Sequence, residues 1–174
     1  TTLTKEEFSA LFPQSKTAAA WTDGCEEITV FAATAGLGID RLIHRYASVS
    51  TAKALLLQAI GAERIERLCD VFCAEQGREK GKAQRRFSPG YGDFPLTAQK
   101  EIFALLDPSK RIGVTLTDSL LMSPSKSVTA AFGIKRAAQT ENSVCAANSV
   151  QDGAKENGKK CAACDKKDCA FRKE

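Results

Sequence analysis

The sequence has few of the residues that most often carry catalysis, and it has no long apolar stretch. It contains one histidine, one tryptophan and two tyrosines in 174 residues. The single histidine, His44, has no second metal ligand and no adjacent carboxylate, which argues against a histidine-based metal centre or catalytic triad. We interpret it as a structural residue. No run approaches the roughly eighteen apolar residues that a membrane helix needs, so we expect no membrane segment.

The start of the chain lacks the basic and apolar regions of a signal peptide, and we therefore expect a cytoplasmic protein. The first residue is Thr1 rather than Met. A processed chain, or a fragment without its upstream segment, would begin in the same way. Hydrophobic residues make up 43% of the sequence and charged residues 26%. This composition is typical of a globular protein, and the length fits one domain.

The net charge is only +4, and much of it is local. Basic residues cluster between positions 78 and 86, where Glu79 is the one acidic residue. No aromatic residues interleave them, so the cluster fits a solvated loop better than a nucleic-acid site. The glycine pair Gly36-x-Gly38 lacks the third glycine of a dinucleotide-binding loop, because Arg41 stands there, and we interpret the pair as a tight turn.

The order of apolar patterns predicts an α+β fold, with a mainly antiparallel, twisted sheet covered by helices. Strands are predicted over residues 27–34, 112–116 and 128–132, because these runs are rich in β-branched and aromatic residues. All three are expected to join one sheet. A long helix is predicted from residue 51 to residue 76, ended by Gly77, and a shorter one over residues 97–106.

The loop after the basic cluster is the strongest candidate for a binding site. It begins at Arg86 and continues as Ser88-Pro-Gly-Tyr-Gly-Asp-Phe-Pro95, in which two prolines fix the backbone and two glycines let it approach a ligand closely. The guanidinium of Arg86 suits a carboxylate or phosphate, and Tyr91 offers a flat face with a polar tip. A surface loop with a salt-bridging arginine explains the same pattern. Further on, Asp118 is placed to accept from an ammonium group or, as carboxylates more often do there, to cap a helical turn.

These residues resemble the activation, or reactivation, domain of cobalamin-dependent methionine synthase. That family carries Arg-x-x-x-Gly-Tyr-Pro, a helix ending near Leu-Leu, and then Thr-Glu-Ser, Met, Pro and Ser-Val. The corresponding residues here, in the same order, are Arg86, Gly90, Tyr91, Leu105, Leu106, Thr117, Asp118, Ser119, Met122, Pro124, Ser127 and Val128. The resemblance covers about residues 4–134.

The resemblance implies binding of S-adenosylmethionine and reductive methylation of an inactive cobalamin. Arg86 would hold the methionyl carboxylate, and Ser88, Pro89, Gly90 and Tyr91 would contact the adenosyl part, with Asp118 in place of the family's glutamate. The implied partners are a cobalamin-binding methionine synthase or another corrinoid protein, which carries the cobalamin, and an electron donor such as flavodoxin or ferredoxin. The resemblance favours a component of the methyltransferase over an independent enzyme.

Several departures from the family pattern stand beside this resemblance. Gly92 occupies the position of the family's proline, and Ser123 occupies that of an aromatic residue. No tyrosine follows Tyr91. The acidic residue that binds the amino group in the family comes from an N-terminal segment that has no counterpart in this sequence. We therefore expect weaker ligand binding, or a site completed by a partner.

The composition changes near residue 135, where large apolar residues become rare. This predicts a domain over residues 1–134 and a flexible linker with a cysteine-rich tail over residues 135–174. Cys161, Cys164 and Cys169 lie among lysines, which favours thiolates, and with Cys145 or a partner they could bind zinc or an iron–sulfur cluster. A reduced, disordered tail is the competing interpretation. The alternative function is accordingly that of a small metal- or cluster-binding redox accessory protein acting through this tail.

Overall fold

The structure is a computed structural model, and it describes residues 1–13 and 15–135. The strands are β1 (Thr2–Thr4), β2 (Glu27–Thr34), β3 (Lys82–Ala83), β4 (Thr115–Leu116), β5 (Met122–Ser123) and β6 (Ser127–Lys135). The helices are α1 (Lys5–Leu11), α2 (Lys16–Trp21), α3 (Leu37–Ala47), α4 (Thr51–Lys80), α5 (Gln99–Leu106) and α6 (Pro108–Ile112), with a 3₁₀ turn at Leu96–Ala98. None of the described helices is both long enough and apolar enough to cross a membrane.

Four strands form the main sheet in the order β1-β2-β6-β3, and every neighbouring pair is antiparallel. The pair β2 and β6 forms its centre, in register from Glu27 opposite Ile134 to Thr34 opposite Ser127. The predicted α+β class with a mainly antiparallel sheet is therefore confirmed.

Alternating side chains of the two central strands form separate cores on the two faces of the sheet. On one face Ile28, Val30 and Ala131 pack with Phe8 of α1 and with Ile102 of α5. On the other face Phe31 and Phe132 pack against α4 through Ile65 and Cys69. Both faces of β2 and β6 are thus buried, which explains why the sequences of these strands are nearly continuous apolar runs.

The predicted strand at 112–116 is wrong for most of its length. Pro108 begins α6, a short helix that continues to Ile112 and ends at Gly113, whose φ of +67° is a left-handed cap. Only Thr115 and Leu116 are extended, and they pair with β5 in a separate two-stranded sheet rather than with β6. The pattern misled because proline favours the first turn of a helix, and the two β-branched residues that follow the glycine are too few to form a long strand.

The predicted end of the long helix at residue 76 is also wrong, because α4 continues through Gly77 to Lys80. A Cβ at Gly77 would lie 3.2 Å from the Cβ of Ala83 in β3. The glycine therefore lets the chain fold back tightly against the helix, and it serves packing instead of termination. As a result β3 begins only two residues after the helix, at Lys82.

Candidate functional site

A cleft of about 740 Å³ lies where the chain leaves the edge of the main sheet after β3. One wall is α4, and another is the segment from Ala83 to Tyr91. The floor is the first part of β6, and Trp21, Gln99 and Met122 close the remaining sides. Its volume falls within the roughly 300 to 1,000 Å³ of small-molecule sites.

The segment that holds Arg86 is fixed on the sheet by its neighbour Phe87. The N–H of Phe87 donates to the carbonyl of Ala131 at 2.9 Å, and the N–H of Ala131 donates back at 2.8 Å. The Phe87 ring is buried in the core on the α5 side of the sheet. Since side chains alternate along an extended chain, Arg86 projects to the opposite side, towards α4.

There the Arg86 guanidinium donates to the carboxylates of Glu66 and Asp70, one from each terminal nitrogen. The two acids lie four residues apart on α4 and so share a face. Burial alone would lower the pKa of Arg86, but the hydrogen bonds and negative charge of the two carboxylates outweigh it and raise the pKa above its usual value. Arg86 therefore stays charged, and the cluster of the three side chains carries both signs of charge at the cleft wall.

The loop of residues 88–94 is held in shape by its own backbone. Tyr91 donates to the carbonyl of Ser88, and Phe94 donates to the carbonyl of Tyr91. Gly90, with φ of +96°, donates to the carbonyl of Phe94 at 2.8 Å. The buried Phe94 ring anchors the end of this turn in the core. The turn thus presents the ring of Tyr91, 56% exposed, near Trp21 at a centroid distance of 6.5 Å.

Gly92 has a structural reason to differ from the proline of the family pattern. Its φ is +58°, whereas a proline ring holds φ near −65°. A Cβ at this position would also lie 2.5 Å from Oγ1 of Thr17 in α2. Proline therefore cannot occupy this conformation, and the turn in this chain follows a path that requires glycine.

The structure brings together four of the six predicted binding residues. Arg86, Ser88, Pro89 and Tyr91 all line the cleft. Gly90 supports the turn but is not among the lining residues, and Asp118 lies in the exposed turn between β4 and β5. The binding roles themselves stay predictions. Cys161, Cys164 and Cys169 fall outside the described residues, and so does the metal or cluster site predicted there; within the described part of the chain no group of three metal-ligating side chains occurs.

Several cleft residues were missed by the sequence analysis. Glu66 and Asp70 could have been found as acids at helical spacing that need a basic partner. Gln99 is a polar residue next to the apolar side of α5, and Thr129 is a polar residue in the most apolar strand. Nothing local in the sequence shows that they meet, because that depends on where β6 and α5 pack.

Cys73 lines the same cleft, and Cys69 lies one turn before it on α4. Burial raises the pKa of both thiols, that of Cys69 to about 11. Both are protonated at neutral pH, so neither is a reactive thiolate or a ready metal ligand. Cys69 lies in the core on the α4 side of the sheet, and Cys73 packs against that core.

The described residues therefore define an α+β domain with a cleft of ligand-binding size at the edge of an antiparallel sheet. One comparison adds a match to a known family over part of the chain. A family model described as "Vitamin B12 dependent methionine synthase, activation domain" matches residues 78–157. The resemblance that the Arg86 motif predicts is thereby confirmed. The matched segment includes the Arg86 loop, α5 and β6, and it continues past the boundary predicted near residue 134.

Among solved structures, one described as "Crystal Structure of the MetH Reactivation Domain bound to AdoHcy" matches with 24% sequence identity and a TM-score of 0.46. The match covers 66% of this chain and 41% of that chain, so it spans less than half of that chain's length. No curated protein matches the sequence.

Proposed function

We propose that the cleft binds S-adenosylmethionine and that the chain supports reductive methylation of the cobalamin of methionine synthase or a related corrinoid methyltransferase. The observation that carries the proposal is the position of the motif. Arg86, Ser88, Pro89 and Tyr91 line one ligand-sized cleft, inside the segment that matches the activation-domain family.

The charged cluster suits the amino-acid end of this ligand. A methionyl group carries a carboxylate and an ammonium, and Arg86 and its two acidic partners offer the opposite charge to each. The carboxylate would take N–H donors of Arg86, and the ammonium would be accepted by Glu66 or Asp70. The acidic partner that the family draws from an N-terminal segment would then come from α4.

In this proposal the chain contributes binding and orientation, with no acid or base of its own. Bound S-adenosylmethionine supplies the methyl group, and a donor protein supplies the electron that the cobalamin needs before it accepts that methyl group. The cleft residues hold the sulfonium in place against a corrinoid presented by a partner protein, which is catalysis by positioning. The chain is accordingly a component of a methyltransferase system.

Calorimetric titration of Arg86→Ala with S-adenosylmethionine tests the assignment. A hydrogen bond between charged groups is worth about 1.5 to 3 kcal/mol, so we expect affinity to fall roughly ten- to a hundred-fold. Arg86→Lys keeps the charge but loses the planar fork, and it should fall between wild type and Arg86→Ala. Adenosine has no carboxylate, so its affinity should change little in either variant.

Arg45→Ala provides the matched control, because Arg45 is an exposed arginine on α3 and does not line the cleft. It should bind S-adenosylmethionine like wild type. An unchanged affinity in Arg86→Ala, with circular dichroism showing a folded variant, would contradict the assignment of the carboxylate to Arg86.

A further inference from the structure

Two buried polar atoms in the cleft lack a hydrogen-bond partner among the described residues. They are the side-chain oxygen of Gln99, a residue only 6% exposed, and the hydroxyl of Thr129, a residue 1% exposed. Buried polar groups in folded proteins are nearly always paired, because an unpaired one has lost its hydration without replacement. Both residues line the cleft, so a bound molecule that draws these side chains towards it is in position to supply the missing partners.

The two residues lie on the side of the sheet opposite the charged cluster. Thr129 alternates with Ala130 and points to the same face as Ala131, which packs with Ala98 and Ile102 around α5. Gln99 begins α5 on that face. Arg86 projects to the α4 face. The cleft therefore wraps around the sheet edge and has a charged end and an uncharged polar end.

Among the residues that the structure describes, no strand pairs with the outer side of β6 at Thr129. The backbone of Ala131 hydrogen-bonds with Phe87, on the side of β6 that faces away from β2. Val30, which lies opposite Ala131 in β2, hydrogen-bonds with Thr1, on the side of β2 that faces away from β6. Hydrogen-bonding direction repeats every second residue in a strand, so the N–H and C=O of Thr129 also point outward. Beyond Phe87 the chain leaves the sheet for the loop of residues 88–94, which leaves that outward side of Thr129 to the cleft.

We infer that Gln99 and Thr129 form a nucleoside subsite that reads the amino-purine edge of the ligand. The adenine edge places an amino donor beside a ring acceptor, and a glutamine carboxamide pairs with both. The Gln99 oxygen accepts from the amino group, and the Thr129 hydroxyl and main chain serve the neighbouring polar atoms. This inference rests on the proposed function and adds to it the residues that select the base.

Two ligands that differ only in the base test the subsite: S-adenosylhomocysteine and S-inosylhomocysteine. The inosyl compound has an oxygen where adenine has its amino group, and this oxygen would face the Gln99 oxygen. We expect wild type to bind the adenosyl compound about tenfold more tightly, since one unpaired buried hydrogen-bonding group has roughly that effect. In Gln99→Met the preference should disappear, and in Thr129→Val affinity for the adenosyl compound should fall about five- to tenfold.

Thr29→Val is the control for Thr129→Val. Thr29 is 3% exposed and its hydroxyl also lacks a partner among the described residues, but it does not line the cleft. Replacing either hydroxyl by a methyl group removes an unpaired buried polar atom, so neither variant should unfold at a lower temperature than wild type. Only Thr129→Val should lose affinity. If Thr129 had a purely structural role, Thr129→Val would instead unfold at a lower temperature than wild type.

The outcomes separate the inference from the proposed function. If wild type binds the adenosyl compound and Arg86→Ala weakens it, while Gln99→Met and Thr129→Val keep both affinity and base preference, the nucleoside subsite is overturned and the proposed function stands. If wild type binds neither compound, both fail. Loss of preference in Gln99→Met, together with weaker binding in Thr129→Val but not in Thr29→Val, supports the subsite.

Discussion

Asp93 fixes the loop of residues 88–94 to the start of α2. Its carboxylate accepts hydrogen bonds from the hydroxyl of Ser15 at 2.9 Å and from the backbone N–H groups of Lys16 and Thr17 at 2.8 and 2.9 Å. The first N–H groups of a helix have no partner inside the helix, so a carboxylate at this position satisfies them and complements the helix dipole. A side chain in the loop thus serves as a cap for a helix about 76 residues away in sequence.

This anchor predicts a pH-dependent contribution to stability. Hydrogen bonds from the side chain and the backbone of Thr17 hold the pKa of Asp93 well below its ordinary value of 3.8. Because the folded-state pKa is the lower one, the stabilisation is fully present above the unfolded-state value and is lost as the pH falls through the folded-state value. Asp93→Asn should therefore be less stable than wild type near neutral pH, and the gap should narrow below about pH 4.

Urea denaturation of both proteins at several pH values measures this gap. Asp93 is exposed and solvent screens its charge, so we expect a modest difference whose sign and pH trend are the test. A gap that is constant from neutral to acidic pH would show that the carboxylate charge does not matter and that Asp93 acts only through its shape.

At the scale of elements, the turn of residues 88–94 and the end of α6 both depend on glycines with left-handed backbones. Gly92 combines a φ of +58° with the close approach to Thr17, whereas Gly113 has a φ of +67° and open space, with no contact within 4 Å of where a Cβ would lie. The two glycines therefore differ in steric surroundings but share the backbone strain that a side chain would add.

This pair predicts different costs for the same substitution. Gly113→Ala should destabilise the fold by about 1 to 2 kcal/mol, the cost of a left-handed conformation for an L-residue. Gly92→Ala adds the clash with Thr17, so it should cost more, and it should also weaken ligand binding because the turn that carries Tyr91 must shift. Thermal unfolding and titration of both variants measure these effects. Equal stability loss in the two variants would mean that Thr17 moves aside freely.

The elements that sequence patterns predicted well are those whose signal is local. The strand Glu27–Thr34 follows from its own run of β-branched and aromatic residues. The errors at 112–116 and at Gly77 arose where tertiary contacts decide. Gly77 looks like a helix end, but its lack of a side chain is used to pack Ala83. The motif likewise predicted Arg86 and Tyr91 at the cleft, whereas Gln99 and Thr129 needed the topology.

At the scale of the whole molecule, the large apolar residues of the long helix α4 are divided between core and surface. Phe72 packs in the core around Phe31 and Phe132. In contrast Leu55, Leu56, Ile60 and Leu68 are between 47% and 70% exposed. The residues that α4 does bury are mainly small, namely Ala54, Gly61, Ile65 and Cys69. Helical spacing correctly predicts an amphipathic helix, but it does not tell which of two apolar stripes faces the sheet, because small residues allow the closer approach.

This division predicts opposite responses to alanine on the two sides of α4. Ile65 is 4% exposed and lies in the core with Phe31 and Phe132, so Ile65→Ala leaves a cavity and should cost about 2 to 5 kcal/mol. Leu56 is 60% exposed, and alanine is the better helix former, so Leu56→Ala should change the unfolding free energy by no more than about 0.5 kcal/mol. Urea denaturation of the two variants measures both values. A large loss in Leu56→Ala would mean that this side of the helix is covered in solution, and that the long helix is held from both of its apolar sides.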